Sequence, residues 1–224
     1  ILQERKVETL RLGAMLEREP ASRVVLETCA EAFRIADLAM ASGHEVRVVP
    51  ATLVKTLGVG ARRIKTDRRD AQVLSEVSCR IDLPSVHVPQ EIARVRRNMC
   101  AAREVLVSCR TAMVNSVRGW ARTQLLKIPC GDSETFPKRA RKAALASPEG
   151  LPEYVERTLR ALDSLTEQIA AADEELEQLA KEDPVCKRLM SVPGVGPITS
   201  LRFAAALDDR TRFPTAHAVQ GYLG

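Results

Sequence analysis

Two long stretches carry apolar side chains every three or four residues, and they constrain the fold more than any other feature of the chain. Residues 91–127 and 153–183 keep this spacing over many turns, which predicts two long amphipathic helices. The apolar positions expected to form the buried stripe of the first are Ile92, Val95, Met99, Ala102, Leu106, Cys109, Met113 and Trp120. Those of the second follow a seven-residue repeat: Leu162, Leu165, Ile169, Ala172, Leu176 and Leu179.

These two stretches also carry opposite charge. Residues 91–127 contain eight Lys or Arg against two acids, whereas residues 153–183 contain ten acids against three basic residues. Such a contrast favours pairing of the helices, either as two antiparallel helices within one chain or as a dimerising coiled coil. We expect a coiled-coil arm, and the sequence leaves the intramolecular and dimeric arrangements open. Pro, Gly and Ser cluster with Lys and Arg in residues 128–152, which predicts a basic loop between the helices.

Residues 1–90 alternate β-rich and helical segments. The apolar runs 23–27 and 45–49 are typical of strands, and residues 30–42 between them predict a helix that ends at Gly43. Strand and helix alternating at short spacing predict an α/β sheet. A further helix is expected to run from a cap at Thr66 to about Arg80.

The composition limits the classes of partner. A net charge of +5 and a pI near 9.0 suit a polyanionic partner, while 3% aromatic residues argue against a base-stacking platform for single strands. No apolar run approaches the roughly 18 residues of a membrane span, and no signal peptide is recognised. The six cysteines form no C-x-x-C pair, and the three histidines form no ligand pattern, so we expect reduced thiols in the cytoplasm.

Two aspartates stand inside a basic run at residues 65–71, K-T-D-R-R-D-A. On a helix, Asp67 and Asp70 share one face with Cβ atoms roughly 5–6 Å apart. Two carboxylates at ~5 Å repel by about 3 kcal/mol at an effective dielectric near 20, and a divalent cation between them reverses that repulsion. Mg²⁺ prefers such oxygen ligands, with Mn²⁺ as the alternative. The neighbouring cations expected to bind phosphate are Arg62, Arg63, Lys65, Arg68 and Arg69.

Glu27 is the expected third carboxylate of this site. It ends an apolar run, and sites in open α/β sheets gather at the carboxyl ends of strands. Several carboxylates that hold two metal ions are a common apparatus for cutting phosphodiesters. The alternative is structural: Thr66 caps the helix, Asp67 favours its dipole and Asp70 pairs with a nearby arginine. The local pattern leaves both interpretations open.

A glycine-rich turn occurs at residues 193–197, P-G-V-G-P, before an apolar segment at 198–207. Gly194 and Gly196 permit positive φ, so backbone N–H groups can point outward at the start of the next helix. This pattern resembles a helix-hairpin-helix, which binds a DNA phosphate without contacting bases. The alternative is an ordinary tight turn between helices.

Taken in order, the motifs V-L-E-T (25–28), V-V-P (48–50), K-T-D-R-R-D-A (65–71) and P-G-V-G-P (193–197) resemble one family across residues 1–224. It is the insertion-sequence transposases that join a RuvC-like, RNase H-like DEDD domain to a C-terminal transposase domain, related to the Piv/MooV invertases. The resemblance implies an enzyme that cuts and rejoins DNA, with Glu27, Asp67 and Asp70 as catalytic, magnesium-binding carboxylates. It further implies DNA as partner, a structured guide RNA in some members, and a homo-oligomer.

The implied organisation has three parts. They are a RuvC-like α/β domain at 1–90, a helical coiled-coil arm at 91–183, and the start of a helix-hairpin-helix-like transposase domain at 184–224. Both ends look cut, because the family's first aspartate would precede Ile1 and its serine nucleophile would follow Gly224. Neither Ser191 nor Ser200 stands in the right context, so we expect the chain to be inactive alone. The alternatives are a non-catalytic nucleic-acid-binding remnant or regulator, and a structural helical protein.

Overall fold

The computed structural model describes residues 5–56, 67–147 and 150–224, and it comprises two compact units, Ile1–Pro89 and Gln90–Gly224. Most of the described residues are helical. The first unit contains a 3-10 turn at Thr9–Arg11 and then α1 (Leu12–Leu16), β1 (Arg23–Glu27), α2 (Ala32–Ala41), β2 (Glu45–Val49), α3 (Ala51–Thr56) and α4 (Asp67–Ser78). Both predicted strands are confirmed, and α4 covers the predicted helix, although its expected cap at Thr66 lies outside the described residues.

The strands β1 and β2 form a small parallel sheet with helices on both faces. Val25 lies opposite Arg47, and Glu27 lies opposite Val49. Successive strand residues point to opposite faces, so the sheet has two separate apolar contacts. On one face Leu26, Val46 and Val48 pack with Ala32 and Ala36 of α2. On the other face are Val25 and Val49, with Val54 of α3 and Leu74 of α4.

The helix α2 ends as the sequence predicts. Its last residue is Ala41, and Gly43 adopts φ +81°, the left-handed conformation that glycine tolerates at a helix C-terminus. The next residue, His44, is buried, and its Nε2 lies 2.9 Å from the carbonyl oxygen of Leu16. This contact joins the end of α1 to the start of β2, so His44 has a structural role.

The second unit consists of helices. They are α5 (Glu91–Thr123), α6 (Phe136–Ala144), α7 (Glu153–Glu182), α8 (Pro184–Leu189), α9 (Pro197–Leu207), a 3-10 turn at Arg210–Arg212, and α10 (Ala216–Leu223). Ion pairs fix α5 and α7 as antiparallel neighbours, because Arg96 near the start of α5 binds Asp183 after the end of α7. The structure thus contains a pairing of these helices within one chain, and the dimerising coiled coil stays a prediction.

The buried stripe of α7 is confirmed, whereas the predicted stripe of α5 is wrong in part. Leu162, Ile169 and Leu176 are buried as expected. Ile92, Val95, Ala102 and Cys109 are exposed. The side chains of α5 that are buried instead are Ala93, Cys100, Val114, Val117 and Ala121. Small residues allow α5 to approach its neighbours closely, and a pattern weighted toward large apolar residues misses them.

The predicted basic loop at 128–152 is also wrong in its centre, where α6 forms. Phe136, Ala140 and Ala144 lie four residues apart and are fully buried, and the first two pack against α5 and α7. Pro137 stands in the first turn, where its missing N–H costs no hydrogen bond. The prediction failed because the lysines and arginines of α6 occupy its outer positions and obscure the short apolar stripe.

The far end of the second unit is closed by α8 and α9. Leu201 and Cys186 are fully buried there with Cys100, Leu176 and Ala180. Asp183 caps α8 by accepting hydrogen bonds from the N–H groups of Val185 and Cys186. No helix in the described ranges combines the length and apolar character needed to cross a membrane.

Candidate active site

Glu27 is the last residue of β1, at the carboxyl end of the parallel sheet. It lies two residues beyond Val25 and opposite Val49, and both of those side chains pack in the cluster that contains Leu74 of α4. Because alternate strand residues share a face, Glu27 belongs to the sheet face that α4 covers. Its side chain is partly exposed, so it is accessible at the edge of that face.

Thr28, the next residue, fixes the end of β1. Its backbone N–H donates to the carbonyl oxygen of Val49 at 2.9 Å, and its Oγ1 accepts a hydrogen bond from the N–H of Ala51 at 2.9 Å. These contacts hold the carboxyl end of β1 against the start of α3. No role was predicted for Thr28, although a hydroxyl residue directly after a strand is a usual signal for such a cap.

Asp70 lies on the buried stripe of α4. Its spacing of four and seven residues from Leu74 and Val77 places it on the helix face that packs against the sheet. Only 6% of Asp70 is exposed, an uncommon environment for a carboxylate because burying a charge is costly unless polar groups or a metal compensate it. Asp70 and Glu27 are therefore carried by elements that meet on one face of the sheet.

Asp67 is the first residue of α4, so the helical i, i+3 relation of Asp67 and Asp70 is confirmed for the backbone. Its side chain lies outside what the structure describes. Arg68 and Arg69 are exposed, and their role beside the carboxylates stays a prediction. The other predicted phosphate-binding residues, Arg62, Arg63 and Lys65, lie outside the described residues.

The fit to a divalent metal ion rests on the donor types. Glu27 and Asp70 offer the carboxylate oxygens that Mg²⁺ prefers. Among the described side chains, which do not include that of Asp67, no three carboxylate, thiol or imidazole groups converge on one point. The described part of the site is thus a pair of carboxylates on one sheet face, with a third carboxylate residue one turn before Asp70.

The glycine turn lies between α8 and α9. Gly194 has φ +86°, whereas Gly196 is the extended N-cap residue of α9 with φ −89°. Only one of the two predicted positive-φ glycines therefore uses that conformation. A Cβ at either position would meet no atom within 4 Å outside the adjacent residues, so the turn is open on its outer side. Pro197 then begins α9 at its first turn.

Two serines near this turn have structural contacts. Ser200 is fully buried and donates from Oγ to the carbonyl oxygen of Pro197 at 2.7 Å. Ser191 is exposed and donates to the carbonyl oxygen of Arg188 at 2.8 Å. Burial raises the pKa of the neighbouring Cys186 thiol, and a hydrogen bond with Ser200 partly opposes that rise. Ser200 lacks the exposure that a nucleophile needs, and the hydroxyl of Ser191 donates to a backbone carbonyl instead of to a general base.

Two family models match the chain. The IS110-type DEDD transposase model covers residues 5–123, which include all of the described carboxylate site. A second model, described as "Transposase IS116/IS110/IS902 family", covers residues 186–224, which include the glycine turn. The chain belongs to the IS116/IS110/IS902 family of insertion-sequence transposases.

Curated relatives match along the whole chain. A protein of Sinorhizobium fredii, "Putative transposase y4pF/y4sB", is 27% identical over 98% of the chain, which covers 56% of that protein. The "Transposase for insertion sequence element IS1111A" of Coxiella burnetii is 25% identical over 100% of the chain, which covers 62% of that protein. The "Transposase for insertion sequence element IS1328" of Yersinia enterocolitica is 26% identical over 93% of the chain. The chain therefore spans about 56% to 62% of the length of these first two relatives.

Family membership implies a type of fold and a type of cofactor. A DEDD transposase domain implies a RuvC-like fold, with which the parallel strands and flanking helices of the first unit are compatible. It also suggests dependence on a divalent metal ion, because its defining residues are carboxylates. The resemblance predicted from the sequence motifs is thus confirmed at the level of the family.

Proposed function

We propose that the protein containing this chain is a transposase that cuts and rejoins the DNA of its insertion element, with Glu27, Asp67 and Asp70 as metal-binding carboxylates. The observation that carries the proposal is that Glu27 ends β1 on the sheet face against which α4 packs, and that Asp70 lies on the buried side of α4. That edge is where parallel sheets collect their functional groups. The family match over residues 5–123 supports the same assignment.

In this proposal Glu27, Asp67 and Asp70 hold Mg²⁺ through their oxygens. When bound, the ion would neutralise charge on the scissile phosphate and lower the pKa of a coordinated water. Thr28 keeps Glu27 in place through its two hydrogen bonds at the end of β1. The apolar packing of Val73, Leu74 and Val77 fixes the rotation of α4 and hence the position of Asp70.

The cations around the carboxylates would hold the DNA backbone on either side. Arg68 and Arg69 are exposed beside Asp70, where their guanidinium groups suit bidentate contacts to phosphate. We assign Arg62, Arg63 and Lys65 the same role from their position in the sequence. The turn with Gly194 and Gly196 is the proposed second contact, at which backbone N–H groups before α9 bind a phosphate without contacting bases.

An excision assay tests the activity. A plasmid-borne insertion element whose reading frame contains this chain would be scored for excision with Asp70→Asn and, separately, Glu27→Gln. Loss of excision in both variants is expected. Glu45→Gln is the matched control, because Glu45 stands at the opposite end of the neighbouring strand and pairs with Arg23. Normal excision by Asp70→Asn would refute the catalytic assignment.

The second candidate function is a nucleic-acid-binding protein without chemistry of its own. The net positive charge of +5 and the open glycine turn favour it independently of the carboxylates. The two candidates differ in their dependence on a divalent metal ion. If Mg²⁺, Mn²⁺ or a chelator changes neither the affinity for DNA nor what happens to the DNA after binding, the non-catalytic protein is favoured.

A further inference from the structure

The second unit carries an exposed basic surface where α5 ends and α6 packs on it. Residues 118–145 contain seven Lys or Arg and two acids. Five of these cations are exposed. Four of the five lie on the helices, two on each, and we call them the α5–α6 basic face: Arg118, Arg122, Lys138 and Lys142. The metal-binding role proposed for Glu27, Asp67 and Asp70 does not involve the residues of this surface.

The packing of α6 determines which of its cations face solvent. Phe136 and Ala140 are buried against α5 and α7. Lys138 and Lys142 lie two residues after Phe136 and Ala140, on the side of the helix away from that contact. The short helix is therefore anchored by one face and presents two lysines, four residues apart, on the other.

Contacts on Phe136 bring the cations of α5 and α6 together. The guanidinium carbon of Arg118 on α5 lies 5.5 Å from the centroid of the Phe136 ring, and that of Arg139 on α6 lies 5.9 Å from it. Arg139 also donates to the carbonyl oxygens of Pro129 and Asp132, so the segment before α6 is tied to the same place. The basic residues of the two helices thus form one surface.

Carboxylates form ion pairs with other arginines of this region. Arg141 binds Glu156 and Asp163 of α7, and Arg110 binds Glu134. Among the described residues, no carboxylate forms an ion pair with any member of the α5–α6 basic face. Clustered like charges repel, and an anionic partner removes that repulsion.

Geometry favours a regular phosphate backbone as that partner. Within each helix the two cations are four residues apart, about 6 Å along the axis, and each strand of a duplex carries one phosphate per about 3.4 Å of the duplex axis, so a duplex offers a phosphate to each cation. Proteins that hold single strands stack the bases on aromatic side chains, but Phe136, the aromatic centre of this surface, is fully buried. The face suits backbone contacts and not base stacking.

We infer that the α5–α6 basic face binds the phosphate backbone of duplex DNA, through residues other than those of the carboxylate site and the glycine turn. The choice of DNA rests on the proposed function. The site would position the duplex without contributing to sequence recognition, since phosphate contacts carry no direct base information.

Salt-dependent binding to labelled duplex DNA of mixed sequence, followed by fluorescence anisotropy with EDTA present, tests this inference. The variant Arg122→Gln, Lys138→Gln, Lys142→Gln removes three cations, none of which packs on Phe136. The slope of log K against log salt is expected to fall by about 0.9 for each lost contact, roughly 2–3 in total. The matched control removes three α7 cations, through Arg157→Gln, Arg160→Gln and Lys181→Gln, and should retain the slope.

Two results would overturn the inference. One is a triple variant whose slope equals that of the unaltered chain or of its control. The other is a loss confined to single-stranded DNA or to duplex RNA, each measured in parallel. Lys138→Glu with Lys142→Glu is a second variant, expected to weaken duplex binding further. Because EDTA removes divalent ions, these results are independent of whether the carboxylates bind metal.

Discussion

Arg103 and Asp173 form a bidentate ion pair between α5 and α7, with Nε–Oδ1 at 2.7 Å and Nη2–Oδ2 at 3.3 Å. Arg96 and Arg110 stand seven residues before and after Arg103 and bind Asp183 and Glu134. Hydrogen bonding to Asp173 raises the pKa of Arg103. These three arginines thus recur every seven residues along α5, beside its contact with α7, and each of them pairs with a different carboxylate.

Replacing Asp183 should destabilise the second unit more than any exposed ion pair does. Asp183 accepts from Arg96 at 2.7 Å and from two N–H groups of α8, so Asp183→Ala removes a helix cap and leaves a half-buried guanidinium without its carboxylate. We expect a loss of about 2–3 kcal/mol in the free energy of unfolding. Glu177→Ala, which breaks the exposed pair with Lys181, should cost less than about 0.5 kcal/mol. Equal losses in urea titrations would contradict this ranking.

The contribution of Asp183 should depend on pH. Burial acts to raise its pKa, but hydrogen bonds from the N–H groups of Cys186 and Val185 and from Arg96 bring it below the ordinary 3.8. A carboxylate with a lowered pKa in the folded state stabilises it above pH 3.8, and that stabilisation is lost as the pH falls through the folded-state pKa. The stability difference between the unaltered chain and Asp183→Asn should therefore be constant near neutrality and shrink below pH 3.8. A difference that stays the same down to pH 3 would exclude this charge effect.

Leu159 should be among the most sensitive apolar positions of the second unit. It is fully buried on α7 beside Phe136 and Val117. Leu159→Ala is expected to cost about 2–5 kcal/mol through lost burial and the cavity that remains. Leu145 is 85% exposed just after α6, so Leu145→Ala should change stability by less than about 0.5 kcal/mol. Thermal denaturation of both variants checks the packing of α6 and α7.

The two glycines of the turn before α9 should respond differently to alanine. Gly194 has φ +86°, where an L-residue is strained, and Gly194→Ala is expected to cost about 1–2 kcal/mol. Gly196 has φ −89° and free space around it, so Gly196→Ala adds no backbone strain and should cost less, about 0.5–1 kcal/mol, because helix N-caps favour glycine over alanine. If Gly196→Ala proved the more harmful in denaturation without DNA, the assigned turn geometry would be wrong.

The sequence predicted the elements whose signals are local. Both strands, α7 with its stripe, and the end of α2 before Gly43 follow from β-branched runs, a seven-residue repeat and a glycine C-cap. The stripe of α5 was placed wrongly in part because its buried seam contains Ala93 and Cys100 and is flanked by three arginines whose carboxylate partners are remote in sequence. The helix α6 was missed because only three small or aromatic positions mark it among lysines and arginines.

The candidate site was predicted in part for the same reason. A strand end and a helical D-x-x-D spacing are local, so Glu27 and Asp70 could be selected from the sequence. Which sheet face each belongs to depends on the pairing of β1 with β2 and on the packing of Leu74, and these are long-range contacts. The cap by Thr28 and the α5–α6 basic face likewise arise only when distant segments pack together.

Metal binding by the chain itself tests the central claim most directly. Titration with Mn²⁺, followed by the loss of the free-ion electron paramagnetic resonance signal, should show binding that Mg²⁺ competes away. Glu27→Gln and Asp70→Asn should each weaken that binding at least about tenfold, while Glu45→Gln on the neighbouring strand should leave it unchanged. A folded chain that binds no Mn²⁺, or Glu27→Gln and Asp70→Asn variants that bind it as tightly as the unaltered chain, would contradict the assignment of a metal-dependent active site to this edge of the sheet.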